Sequence, residues 1–358
     1  MASVAKHYRL PEEDSQRIFH EQIVPQEFKH LEGVQPDNAR QPIAAFIVGQ
    51  TGAGKTRIAP GLQTAFQNLG RTHAHFIADT YKTYHPQYLD IVKVRPDLAS
   101  PATGPDARKW LEMACRYAAE HRYDALVESA CRHPDDFSGL IKAFRDTGYR
   151  VCVAVLAVPE ALSLLGIVVR YYQQLPEAQS GNLPLRLTPL KVHDDSYAGL
   201  LAAADVVDRS DLVDHVIVVR RGNLVAYANS RSPAGEWIQP AGARSALDLE
   251  RVRPLLDREL STALADLSGV EQFKDAKEKK EIADRLYEVE RLLSAVQVHG
   301  QNIGPFPELQ PLDSTAFLEG IFSVSGIRDE TAAEAEPEVV TDAEKDLTVE
   351  EKLAHDDP

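Results

Sequence analysis

The stretch IAAFIVGQTGAGKTRI, residues 43–58, restricts the fold of this chain more than any other. Six apolar residues read as a buried strand and stop at a glycine-rich loop. Gly49, Gln50, Thr51, Gly52, Ala53, Gly54, Lys55 and Thr56 satisfy the pattern G-x-x-x-x-G-K-[ST] in full. Such a loop turns several backbone N–H groups toward one centre, the arrangement a polyphosphate needs. Side chains at Gly49, Gly52 and Gly54 would obstruct that approach or forbid the backbone angles. A helix beginning near residue 54 adds the positive end of its dipole. Lys55 is placed to neutralise the outer phosphates, and the Thr56 hydroxyl to ligate Mg²⁺. The loop therefore predicts ATP and Mg²⁺ as cofactors.

The surrounding pattern predicts an α/β fold. Strands are expected at 43–48, 73–79, 123–129 and 149–158, with helices at 54–69, 106–121, 135–147 and 159–175 between them. Pro60 and Gly61 are expected to kink or loosen the helix after the loop. DHVIVVRR and NLVAYANS, joined by Gly222-Asn223, read as a hairpin or two late strands. Strands alternating with helices imply a mostly parallel sheet covered on both faces. An amphipathic helix over 10–28, interrupted near Pro25, precedes them. Residues 1–245 are thus predicted as one domain, 246–326 as a C-terminal extension of solvated helices with charged faces, packed on the core, and 327–358 as an acidic tail without stable structure.

That tail explains the charge. The net charge of the chain is −15, yet residues 329–358 hold twelve acids against Lys345 and Lys352. The rest is close to balanced, which argues against nucleic acid as the main partner. The three cysteines, Cys115, Cys131 and Cys152, have no metal-ligand spacing and read as reduced thiols. The first residues lack the apolar core of a signal peptide, and no apolar run is long enough to span a bilayer. A cytoplasmic location and no membrane partner are expected.

A glycine-rich phosphate loop does not by itself say where the phosphate goes. Asp79, Glu128 and, just beyond, Arg132 stand at predicted strand ends on the same sheet edge as the loop, where open α/β sheets bind ligands. A carboxylate there takes a proton from a hydroxyl nucleophile; the alternatives are a helix N-cap for Asp79 and a surface strand end for Glu128. Arg170 and Arg186 follow in VVRYYQQL and LRLTPLKVHDD, an order that suits a lid whose arginines neutralise a transferring phosphoryl group.

From about Tyr8 to Ser230 the chain resembles the zeta toxin family, the kinase half of bacterial toxin–antitoxin pairs. The likeness lies in GQTGAGKT, in IADTYKTYHPQY with its aspartate and histidine–proline pair, and in ALVESACR. It continues in AVPEALSLLGIVVRYYQQL and RLTPLKVHD. The resemblance implies a P-loop kinase fold and phosphorylation of a UDP-N-acetylsugar, chiefly UDP-N-acetylglucosamine, at an amino-sugar hydroxyl. By position it assigns the catalytic base to Asp79 and the phosphate contacts to Lys55, Arg170 and Arg186. It assigns sugar-nucleotide contacts to Glu112, Glu128 and Arg132, and it implies a small helical antitoxin as partner. Two positions depart from the family pattern. Ile77 stands where a second acid is usual, and Ala130 where a small polar residue is common. Loss of polar groups facing a substrate changes which substrate is preferred. The acceptor thus stays open to a NAD-like dinucleotide, another nucleotide, a nucleic-acid end or an antibiotic hydroxyl. A nucleotide-hydrolysing switch is disfavoured because the most apolar strand, VCVAVLAV, ends without an aspartate. Use of ATP as a structural ligand only is disfavoured by Lys55 and Asp79 together.

Overall fold

The computed structural model describes residues 7–35, 37–132, 134–180, 187–271, 280–300 and 305–321. Arg186 and the acidic tail at 327–358 therefore lie outside the described residues. Seven strands form one sheet: β1 (Ile43–Val48), β2 (His73–Ile77), β3 (Asp124–Ser129), β4 (Arg150–Leu156), β5 (His215–Arg220), β6 (Leu224–Ser230) and the short β7 (Gln310–Pro311). Their spatial order is β2-β3-β1-β4-β5-β6-β7. The first five in that order are parallel, and β6 and β7 are antiparallel to their neighbours. β1 and β4 are buried along nearly their whole length, the pattern of strands covered on both faces.

Helices cover the two faces. Ahead of the sheet, α1 (Glu12–Ile18) passes through a π-turn (Phe19–Ile23) into α2 (Val24–Glu27). Pro25 sits at the start of α2, so the expected interruption is taken up as a π-bulge rather than a break. α3 (Lys55–Asn68) leaves the glycine-rich loop and runs without a break through Pro60. The expected loosening does not occur, because Pro60 forgoes a single N–H one turn from the start. Next come α4 (Tyr88–Val94), α5 (Pro96–Glu120), α6 (Pro134–Arg145), α7 (Glu160–Ser180) and α8 (Leu190–Arg209). α5 begins ten residues earlier than the periodicity predicts, and it accommodates Pro101 and Pro105.

One core lies between the sheet and α1, α5, α6 and α8, and the other beneath α3 and α7. The late strands do form a hairpin, turned at Gly222 and Asn223, whose φ values are +80° and +59°.

The charged segment after residue 243 folds as α9 (Ala243–Val252), α10 (Asp257–Glu271), α11 (Lys280–Gly300) and α12 (Ser314–Glu319). As expected, these helices pack on the core as well as face water. Leu255, Ala263, Leu286 and Val289 join the core beneath α7. Arg220 at the end of β5 is buried between Glu250 of α9 and Glu259 of α10, at 3.2 and 2.5 Å. Periodicity alone does not separate a charge that faces water from one that is paired inside.

Candidate active site

The C-terminal edge of the parallel strands gathers the site. β1 ends at Val48, and the loop that follows is closed from behind by short contacts. Gly49 N–H donates to the Ser129 carbonyl at 3.1 Å, and the buried Gln50 carboxamide donates to Val158 O at 2.7 Å. Arg221 donates to Gly52 O at 3.1 Å, and Ser196 Oγ accepts from Thr51 N–H at 3.2 Å.

Gly52 and Gly54 adopt φ of +83° and +93°, the left-handed region that a glycine enters without penalty. At Gly52 the reason is also spatial: a Cβ there would lie 2.0 Å from the Ser163 carbonyl of α7. Lys55 opens α3 and its ammonium donates to the Gly49 carbonyl at 2.8 Å. Burial lowers its pKa, and the carboxylates of Asp79 and Glu128 oppose that shift. Backbone cradle, helix start and lysine together make a fit for a polyphosphate. Thr56, exposed in the first turn of α3, offers a hard hydroxyl oxygen of the kind Mg²⁺ takes.

In front of the loop is a cavity of about 830 Å³. Its wall includes Thr51 of the loop, Asp79 and Lys82 after β2, Glu112 of α5, Arg132 after β3, and Arg170 of α7. The acid and the phosphate loop therefore border one space. Asp79 lies two residues beyond β2 at the head of a 3₁₀ turn (Thr80–Tyr84), and its side chain makes no capping hydrogen bond. Instead Asp79 Oδ1 accepts from the Lys82 ammonium at 2.6 Å. The Lys82 charge, reinforced by Lys55 and Arg170, outweighs desolvation and brings the carboxyl pKa down to about 2.

The other expected site residues separate into two groups. Arg132, Glu112 and Arg170 border the cavity. Arg132 grips Asp195 of α8 with Nε and Nη2 at 3.2 and 3.0 Å. Glu112 is about half exposed and pairs with Arg116 at 2.7 Å. Arg170 donates to Thr188 Oγ1 at 3.3 Å. Glu128 differs: its side chain is 2% exposed, lies on the α3 side of the sheet and is not among the residues bordering the cavity. It accepts from His75 Nε2 at 3.0 Å, and Gln63 of α3 donates to His75 Nδ1 at 3.0 Å. This chain of bonds fixes the imidazole tautomer and ties β2, β3 and α3 together behind the loop.

Sequence reasoning missed Lys82, His75, Asp195 and Ser196. Lys82 stands three residues after Asp79, one 3₁₀ turn on, which was a usable signal. His75, an alternate polar position in HAHFI, was a weaker one. Asp195 and Ser196 come into place only through the long-range packing of α8. Cys131, also at the cavity, has its thiol pushed up to about 12 by burial, so it is a poor nucleophile.

Comparison with known proteins identifies relatives in sequence and in fold. The chain is 25% identical over 232 residues to Toxin PezT of Streptococcus pneumoniae serotype 4, which covers 62% of this chain and 89% of that protein. It is 24% identical over 226 residues to Toxin zeta of Enterococcus hirae, covering 62% and 74%. Among solved structures, one from the PezAT chromosomal toxin–antitoxin system of S. pneumoniae superposes with a TM-score of 0.57 at 20% identity. That superposition covers 73% of this chain and 98% of the other, so the two share a fold. The sequence profile of the Zeta toxin family matches residues 28–232, more than half the chain and the whole span from β1 through the β5–β6 hairpin, and the chain belongs to the zeta toxin family.

Proposed function

We propose that the protein is an ATP-dependent kinase that moves the γ-phosphate to a hydroxyl of a small molecule, with a UDP-N-acetylhexosamine such as UDP-N-acetylglucosamine as acceptor. One observation carries the reading: Asp79 and the glycine-rich loop border the same cavity. The acceptor hydroxyl would sit between Asp79 and the phosphate. Its oxygen bonds to the γ-phosphorus as the bond to the ADP oxygen breaks, and its proton passes to Asp79. A carboxylate with a pKa near 2 is a weak base. That suits a loose transition state, in which the hydroxyl proton is lost late and the base chiefly orients the nucleophile. Lys55, released from the Gly49 carbonyl, Arg170, and Arg186 by its place in the sequence would neutralise the phosphoryl oxygens. Mg²⁺ held through Thr56 supplies further charge neutralisation when bound.

Arg132 and Glu112, which border the cavity, would contact the acceptor. Glu128, paired with His75, would act instead through its charge beside Lys55. Ala130 borders the cavity without a polar group, which favours keeping a second acceptor class, a NAD-like dinucleotide or other nucleotide, beside the UDP-sugar. The names of the relatives point to a toxin, and with it to a small helical antitoxin as partner.

The test is incubation with γ-labelled ATP and a panel of UDP-N-acetylglucosamine, UDP-N-acetylgalactosamine, NAD, nucleotides and aminoglycosides. Label is expected on a UDP-N-acetylsugar. Label on NAD alone replaces the acceptor, and label on none, with wild-type ATP turnover to ADP and phosphate, replaces the kinase by a hydrolase.

A further inference from the structure

The family match ends at residue 232, yet a residue far beyond it bonds to Thr188, which borders the cavity. Arg285, on α11, is the longest side chain of that helix in the interior, with 1% of it exposed. Burying a guanidinium is expensive unless its donors are used. Here Nη1 donates to the backbone carbonyl of Thr188 at 2.7 Å, and Nη2 pairs with Glu281 one turn back at 2.8 Å. Thr188 borders the cavity just ahead of α8, and its hydroxyl accepts from Arg170 Nη2. The order is thus Arg285 to the Thr188 backbone, and the Thr188 hydroxyl to Arg170.

α11 itself is held rigidly. Leu286 and Val289 pack into the same core as Leu164, Leu165 and Val168 of α7, the helix that carries Arg170. A second link has the same origin. Arg220, enclosed by Glu250 and Glu259, adjoins Arg221, which grips the Gly52 carbonyl. The C-terminal helices thus reach Thr188 beside Arg170 directly, and the loop only through the Arg220–Arg221 pair of the β5 end.

We propose that Arg285 is a positioning residue that sets the rotamer of Arg170 through Thr188, so that α9–α11 form a working part of the nucleotide site. This rests on the reading of Arg170 as a phosphate contact. An arginine already held by the Thr188 hydroxyl meets the phosphoryl group without first losing rotamer freedom.

The experiment is a double-mutant cycle on the full chain with R285M, R170A and the pair, with R285K and T188V alongside. Both phosphate transfer and the affinity for a fluorescent ATP analogue are measured. R285M is expected to lower kcat about tenfold with the acceptor KM unchanged, and to cost no more than about twofold once Arg170 is already alanine. R285K, which keeps the bond to the Thr188 carbonyl, should recover most of the loss, and T188V should reproduce it. Effects of R285M and R170A that multiply overturn the proposal, as does a folded R285M with wild-type kcat. Should R285M fail to fold, T188V decides: wild-type kcat there overturns the link. If the wild type transfers no phosphate, the kinase reading fails, and the coupling is then read in analogue affinity. Non-multiplying losses there uphold the positioning role, and multiplying ones reject it.

Discussion

The ammonium of Lys82 lies 2.6 Å from Oδ1 of Asp79, and both groups border the cavity that faces the glycine-rich loop. The pair lies on a single 3₁₀ turn, so its geometry is fixed locally rather than by distant packing. Lys82 lowers the carboxyl pKa, with Lys55 and Arg170 adding smaller contributions of the same sign. The acid limb of activity follows. Asp79 is a competent base only above its own pKa, so the limb lies near pH 2, below the range in which the protein is assayed. Replacing Lys82 with methionine removes the largest of the lowering influences. The limb should then rise toward the ordinary carboxylate range, while K82R leaves it low. A kcat/KM profile from pH 4 to 8 checks this: K82M should lose activity toward its acid end and K82R should not.

Glu128 depends on His75. Replacing His75 with phenylalanine leaves a buried carboxylate without its donor, at a cost of about 1–3 kcal/mol. Urea denaturation should show a lower midpoint with an unchanged slope, and H75Q, which retains a donor, should lose less.

Gly52 tolerates no Cβ. In Gly52→Ala the methyl would meet the Ser163 carbonyl of α7 and force a left-handed φ on alanine. Local strain of about 1–3 kcal/mol is expected, with ATP affinity reduced by about tenfold or more. Calorimetric titration with ATP measures it, and thermal melting separates local strain from unfolding.

Several imidazoles resist protonation in the folded state, His215 and His73 among them. Burial lowers His215, whose Nδ1 meets Ser230 Oγ at 2.9 Å, and His73, stacked on Phe66, each to about 4. The unfolded chain protonates first, near pH 6.5. Between pH 6.5 and 4 the unfolded state binds more protons, so stability is full above that window and falls as the pH drops through it. His215, only 8% exposed, contributes on the order of 3 kcal/mol to the loss. Denaturation at pH 7 and pH 5 should show the drop, and His215→Asn should flatten it.

The parallel sheet and the phosphate loop were legible in the sequence because their signals are local. The apolar run at 43–48, its glycines and Lys55 are contiguous, and each βα step repeats within a short span. The placement of Asp79 beside the loop followed from strand order alone, since β1, β2 and β3 are parallel and end on one edge. Less was legible wherever a side chain chooses between two faces. Glu128 ends a strand at the right edge, yet the two-residue period of β3 turns it toward α3 and His75, away from the cavity. The early start of α5 was hidden by Pro101 and Pro105, whose local cost is met by packing around Leu98, Ala99 and Ala102. The inward charges Arg220, Glu250 and Arg285 could not be told from surface ones, because Arg220 meets Glu250 thirty residues on and Arg285 meets the Thr188 carbonyl ninety-seven residues back.

The most direct test of the account is single-turnover phosphate transfer by the wild type and Asp79→Asn, using the acceptor that the panel identifies, with ATP affinity measured on the same samples. The account predicts that the asparagine variant binds ATP as the wild type does and transfers phosphate about 10²–10⁴-fold more slowly. Transfer at the wild-type rate would contradict it, because the carboxylate would then have no part in the reaction that the loop serves.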